Sequence, residues 1–288
     1  MNERRILLLA LAALATASCA RHVAPGALNG LARRVISLAP ATTEALFAIG
    51  AGARVVGRSR FCDWPPSVLA LPAVGGFVDA DMEAILGLAP DLVVGTASPN
   101  AQRVTDALSP RGIATWFPEV DSVIAIERML VGLGERTGMA GDSRRAADDV
   151  ARRTLAVARS VRDEPSPRVL TIVGAAPVVG AGPNSFLDEL LRMAGAINVL
   201  RAGPPWQTLD AEQMIELDPD VIVDGSNQDA AASAANERAP GWREVRAVKI
   251  GRVLALNDPR LLRPGPRVPE GLALLAHALH PKVAPPVW

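Results

Sequence analysis

The chain has 288 residues, 30 basic and 30 acidic side chains, a formal net charge of zero and 49% hydrophobic residues. That length accommodates one large domain or two lobes of ordinary size, and the apolar share is ample for two cores. Zero net charge without a basic stripe leaves no electrostatic case for a nucleic-acid partner.

The first residues, MNERRILLLALAALATASCA, carry arginines, an apolar run from Ile6 to Ala15, and small residues up to Cys19. This pattern predicts a secretory signal peptide over residues 1–19, too short for a spanning helix, and therefore export. Cys19, directly after Thr16-Ala17-Ser18, resembles a bacterial lipobox, which implies a lipidated, membrane-anchored N-terminus. Cleavage after Ala17 or Ala20 is the alternative. Cys62 is the other cysteine; with Cys19 acylated no intrachain disulfide forms, and a lone thiol reads as an inert small apolar residue.

Beyond the leader, short β-branched runs predict strands over 34–38, 55–57, 92–94 and 113–117, with helices over 43–49, 82–88 and 101–108. The order recurs further on: strands over 168–173, 198–200, 221–223 and 252–256, helices over 185–194, 211–217 and 242–248. Such alternation predicts an α/β fold, two Rossmann-like lobes with parallel sheets and helices on both faces. Between them, residues 141–162 predict one long helix, capped by Asp142 or Ser143 and stopped by Pro165 and Pro167. Its expected apolar face is Ala147, Val150, Ala151, Leu155, Ala158 and Val161. The expected organisation is a leader (1–19), an N-terminal lobe (33–138), a linker helix (139–165), a C-terminal lobe (166–281) and a tail (282–288), with the ligand cleft between the lobes.

The lobes share a repeated stretch. GGFVDADMEAILGLAPDLVV, starting at Gly75, returns as PPWQTLDAEQMIELDPDVIV, starting at Pro204. With Glu83 laid on Glu212, Leu88 meets Leu217, Pro90 meets Pro219, Asp91 meets Asp220, Val94 meets Val223, and Phe77 falls on Trp206. Asp81 and Asp210 are good N-caps, and Glu83 and Glu212 sit in first turns, where a carboxylate favours the helix dipole. Dipole compensation is the plain reading of both glutamates, and a core aromatic that of Phe77 and Trp206. Yet both aromatics follow Gly or Pro pairs and precede a cap, so they are expected in loops feeding helices, where α/β sheets form ligand crevices. Residues 44–50 and 189–195 also match in spacing, each ending in a Gly-Ala that predicts a helix C-terminus.

Taken in order, the segments 34–44, Phe61-Cys-Asp-Trp-Pro-Pro66, the two repeats, Asn184-Ser-Phe-Leu-Asp188, and Asn257-Asp-Pro-Arg260 through Arg263-Pro-Gly-Pro-Arg267 carry a family likeness. The chain resembles substrate-binding proteins of bacterial ABC importers, of the class whose two α/β lobes are joined by a rigid helix. Within that class it is most similar to the cobalamin-binding branch. The resemblance implies periplasmic capture of cobalamin or a related corrinoid as transported ligand, with no cofactor and no catalysis, by a monomer that docks on an ABC permease and, through it, its ATPase. It implies that Glu83 and Glu212 face arginines of the permease. It further implies ligand contacts from Pro40, Ala41, Thr42, Trp64, Phe77, Trp206 and Asp258, and from Arg260 and Arg263, which straddle a family arginine. Arg267 is expected to pair with a carboxylate under the sheet.

Relatives of this architecture also carry metal ions, haem and ferric siderophores. A bare-metal site needs cleft imidazoles, and His22, His277 and His280 lie near the chain ends, so no metal site is expected. The chain has no tyrosine to ligate haem iron. A ferric siderophore stays open as the alternative ligand, since Arg58, Arg60, Arg260 and Arg263 could receive an anionic chelate. For an enzyme the sequence offers an isolated Gly180-Ala-Gly182 without a P-loop lysine, no nucleophile elbow, and no acid–base pair apart from capping acids.

Overall fold

A computed structural model of the chain describes residues 28, 30–226, 241–284, 286 and 288. The leader and Cys19 lie outside the described residues.

Sheet one is fully parallel, in the order β2-β1-β3-β4: β1 (Val35–Ser37), β2 (Val55–Arg58), β3 (Leu92–Val94) and β4 (Ala114–Trp116). Its strands are short, and the central pair β1 and β3 is buried on both faces, as helices on either side require. Helices α1 (Pro40–Ala48), α2 (Met82–Gly87) and α3 (Ala101–Leu108) connect them, and α4 (Val123–Thr137) follows β4. No helix was expected at α4. Its N-cap Ser122, accepting from the Ala125 N–H at 3.2 Å, was the available signal.

Sheet two has the order β10-β9-β5-β6-β8, with β7 also on β5. Strands β5 (Arg168–Ala175), β7 (Ile197–Asn198), β9 (Val221–Asp224) and β10 (Val253–Ala255) run parallel. Strands β6 (Val178–Ala181) and β8 (Trp206–Leu209) are antiparallel additions. The second sheet is therefore mixed, and Trp206 opens a strand rather than a loop. Around it lie α6 (Phe186–Met193), α7 (Ala211–Leu217), α8 (Arg246–Lys249), α9 (Pro259–Leu262) and α10 (Val268–Leu279). The helix expected over 242–248 is split: a 3₁₀ turn over Trp242–Glu244 ends at Val245, whose extended backbone (ψ 131°) breaks the helical run before α8.

The repeated residues have visible structural work in both lobes. Arg34 donates from Nη2 to the Leu88 carbonyl at 2.7 Å, and Arg168 does the same to Leu217 at 2.7 Å. Each guanidinium thereby satisfies a carbonyl that a helix end leaves orphaned. Asp91 accepts from the Arg33 and Arg34 N–H groups at 2.8 and 3.1 Å, and Asp220 accepts from that of Arg168 at 2.9 Å. Ala89 and Asp218, each just before the shared proline, take the left-handed conformation at φ 44° and 41°. Val94 and Val223 are buried in their sheets. The α1 and α6 ends match as well. Gly50 and Gly195 have φ of 79° and 73°, and the Ala51 and Ala196 N–H groups reach Leu46 and Leu191 at 2.8 and 2.9 Å, two Schellman turns.

The long helix α5 (Ala140–Ser160) has 21 residues, about 30 Å at the usual rise. It begins before the expected caps, with Met139 as N-cap and Asp142 in its first turn. Its buried face is Ser143, Ala147, Val150, Thr154 and Val157, whereas Leu155 is exposed. Two hydroxyls therefore lie on a face expected to be aliphatic. Ser143 donates to the Ala140 carbonyl at 3.1 Å and Thr154 to that of Val150 at 2.7 Å, so neither is buried unpaired. Ser143 faces Gly134 of α4, where any Cβ would collide with its hydroxyl; the glycine lets α4 and α5 pack closely.

Candidate functional site

The loops at the C-terminal ends of the parallel strands meet between the lobes, where ligands of α/β proteins bind. There the structure forms a cavity of about 500 Å³. The first lobe contributes Ala97, Glu119, Val120 and Asp121, and the second Val173, Phe186, Leu187, Trp206, Gly225 and Leu262 among others. Val173, Phe186, Leu187 and Leu262 give it an apolar lining, and Trp206 is 52% exposed on β8. An indole held on a paired strand yet left half open is an aromatic platform. The sequence did not mark Glu119, Val120 or Asp121. Their signal was positional: they follow a parallel strand directly.

The remaining predicted contacts are dispersed. Arg263 and Asp63 share an adjoining hollow of about 310 Å³, with Leu262 lining both it and the first. Trp64 lies in another of about 490 Å³, walled by Glu44, Phe47, Arg153 and Arg267 and backed by α5. The Arg267 guanidinium sits 4.7 Å from the Trp64 ring centroid, so one face of that indole is occupied. Phe77 is half-buried beside a separate hollow of about 130 Å³ against α3, with Asn100 and Arg103. Pro40, Ala41 and Thr42 begin α1; Thr42 is fully buried and its hydroxyl lies 2.8 Å from that of Ser37. The structure thus brings Trp206 to the central cavity and sets Trp64 and Phe77 apart from it.

The arginines of the region are engaged. Arg263 holds Asp63 with both Nη atoms, at 2.5 and 2.9 Å, and lies 3.6 Å from Glu44. These bonds hold the Asp63 carboxyl below its ordinary pKa and raise that of Arg263. Arg260 turns back on Asp258, the N-cap of its own helix, at 2.7 and 3.0 Å, and lowers that carboxyl likewise. Arg60 pairs with Asp79 at 2.8 Å, and Arg58 donates to the Ser59 and Leu69 carbonyls. Arg267 has its carboxylate in Glu44 of the other lobe.

Glu83 and Glu212 stand exposed in the first turns of α2 and α7, with no hydrogen-bond or ion-pair partner among the described residues. Their caps are Asp81, accepting from Ala84 at 3.0 Å, and Asp210, in a capping box with Gln213. Leu88, Pro90, Asp91, Val94 and their counterparts serve the fold. Glu83 and Glu212 are the repeated pair left over.

No group of three or more metal-ligating side chains occurs among the described residues, and no described helix is long and apolar enough to cross a membrane. A family model described as periplasmic binding protein matches residues 35–259. The chain belongs to the periplasmic binding protein family. A cobalamin-binding protein of Halobacterium salinarum is 29% identical over 258 residues, 86% of this chain and 69% of that one. Among solved structures, the periplasmic vitamin B12-binding protein of Vibrio cholerae superposes with a TM-score of 0.77 at 25% identity, over 88% of this chain and 98% of that one. A periplasmic haem-binding protein of Pseudomonas aeruginosa reaches 0.77 at 30% identity, over 89% and 96%. This periplasmic binding protein is thus of the cobalamin, haem and siderophore type, with the two-lobe α/β fold of its relatives. Such proteins bind a substrate for transport and station outside the cytoplasmic membrane.

Proposed function

We propose that this periplasmic binding protein captures cobalamin or a related corrinoid between its lobes and delivers it to an ABC importer. The observation that carries this reading is the central cavity: a half-exposed Trp206 over an apolar lining, with Arg58, Arg60, Arg260, Arg263 and Arg267 each tied to an acid or a carbonyl. A flat, amide-decorated macrocycle gains from stacking and area burial there and needs no free cation. Haem is served less well, because the chain has no tyrosine to ligate its iron. An anionic ferric siderophore is served less well because Arg60, Arg260 and Arg263 already have carboxylate partners.

Delivery uses Glu83 and Glu212, two equivalent exposed acids on two equivalent lobes, which match a two-fold symmetric permease bearing basic side chains. Acylation of Cys19 anchors the protein at the membrane face, and Cys19→Ala should release it into the soluble fraction.

Calorimetric titration with cyanocobalamin, haemin and a panel of ferric siderophores tests the ligand. Saturable one-site binding of the corrinoid is expected. Binding of a siderophore or of haemin without the corrinoid overturns the ligand assignment.

A further inference from the structure

We propose that Glu119 and Asp121 select the charge of the ligand in the central cavity, admitting neutral and cationic ligands and turning away anionic ones. The inference rests on the reading of that cavity as the ligand site and names the property by which the site discriminates.

Glu119 and Asp121 lie between β4 and α4, both exposed, and both line the first-lobe side of the cavity that Trp206 lines from the second lobe. They are the only charged side chains among its described lining residues. Glu119 has no hydrogen-bond or ion-pair partner among the described residues, and Asp121 has only the neighbouring Ser122 hydroxyl, at 3.4 Å. Arg263, which lines the adjoining hollow, is spent on Asp63.

The segment that presents these acids is braced from both lobes. Ser122 caps α4, and Glu189 of α6 accepts from the Val123 N–H at 2.7 Å across the lobe junction. The backbone just after the two acids is therefore anchored at the cavity from both lobes.

Two acceptor-only groups beside an apolar lining act in one direction. They receive N–H donors, such as primary amides or an ammonium, without needing a counter-charge. A ligand carboxylate, phenolate or propionate entering the same space meets like charge where partial exclusion of water strengthens the repulsion. The feature that separates acceptable tetrapyrroles from unacceptable ones is then the peripheral group: carboxamide accepted, carboxylate refused.

The test uses ligand pairs that share a frame and differ in charge. Cyanocobalamin is compared with its derivative in which peripheral amides are hydrolysed to acids, and ferrioxamine B with its succinylated, anionic derivative. Affinities are read from tryptophan fluorescence and calorimetry at low salt. The wild type is expected to favour the amide corrinoid over the acid form by about tenfold or more, the preference shrinking as salt screens it. Glu119→Gln with Asp121→Asn is expected to bring the ratio within about twofold, chiefly because the acid form no longer meets like charge and binds more tightly than it does to the wild type. Thermal melting confirms that the variant folds, which its exposed positions predict. A variant that keeps the wild-type ratio, or a wild type that prefers the acid, overturns the inference. If the ferrioxamine pair binds and the corrinoid pair does not, the corrinoid reading falls, and charge selection is judged on the ferrioxamine pair by the same criterion. Binding of neither pair overturns both.

Discussion

Arg267 and Glu44, from opposite halves of the chain, form a two-pronged ion pair: Nε meets Oε2 at 2.8 Å and Nη2 meets Oε1 at 2.6 Å. The Glu44 side chain is 2% exposed. Arg263 approaches the same carboxylate at 3.6 Å while gripping Asp63, so one C-terminal segment, 263–267, holds two acids of the first lobe. The lobes are thus fastened beside the cleft as well as through α5, which limits how far they can part.

Removing one partner of this pair strands a buried charge. Glu44→Ala should destabilise the protein by about 3 kcal/mol, and Glu44→Leu with Arg267→Met should recover much of that loss, because an apolar pair of similar volume avoids desolvation altogether. Urea unfolding of the single and double variants measures the coupling. A loss in the double variant equal to the sum of the single losses would mean that the pair is not coupled.

Trp206→Ala should weaken corrinoid binding by more than about 1 kcal/mol, as loss of a stacking anchor does. Melting should change little, since the indole is half exposed. Trp64→Ala serves as the contrast: its ring lies in a different hollow under Arg267, so a smaller effect on affinity is expected. Calorimetry on both variants decides whether the two tryptophans share one ligand.

Glu83→Ala combined with Glu212→Ala should leave cyanocobalamin affinity unchanged and abolish uptake in a strain that needs an imported corrinoid. Each acid alone should cause a partial defect, since each lobe meets its own half of the permease. Lost ligand binding with intact uptake would contradict the assignment.

Glu127 is pushed above its ordinary carboxyl pKa by burial, with Asp148 and Glu189 adding like charge. A carboxyl raised on folding opposes the native state when ionised, and the penalty fades as pH falls through its folded pKa. Glu127→Gln should therefore raise the melting temperature at neutral pH, with the gain shrinking in acid. A gain independent of pH would point to packing instead.

Asp63 and Asp258 behave in the opposite sense. Hydrogen bonds from Arg263 and Arg260 lower their pKa values from the ordinary 3.8, so their contribution is complete above that value and is lost as pH falls through the folded pKa. Asp63→Asn should cost stability at neutral pH and nothing in strong acid. Both pairs are partly exposed, so the effect should also diminish with salt.

The fold was legible where local chemistry is unambiguous. Strands such as 92–94 and helices such as 101–108 and 211–217 agree with the structure to the residue. The paired Gly-Ala helix ends followed from the need for positive φ. The misses share a cause. Strands β6 and β8 are short, and nothing in their composition says that they pair antiparallel; that depends on which edge of β5 is free. Leu155 faces solvent and Thr154 the interior because the neighbours of α5 set its rotation, not its hydrophobicity.

The same division holds for the site. The sequence by itself determined the two-lobe plan, the repeated acids, and Trp206 as an aromatic worth following, because periodicity, capping and repetition are local or self-referential signals. Only the tertiary structure decided that Trp206 and Trp64 occupy different hollows, that Arg263 and Arg267 are consumed by Asp63 and Glu44, and that Glu119 and Asp121 face the cavity. Those facts turn on which side chains from distant segments reach one another first. A guanidinium that finds a buried carboxylate across the lobe junction is withdrawn from the ligand, and no reading of its own neighbours reveals it.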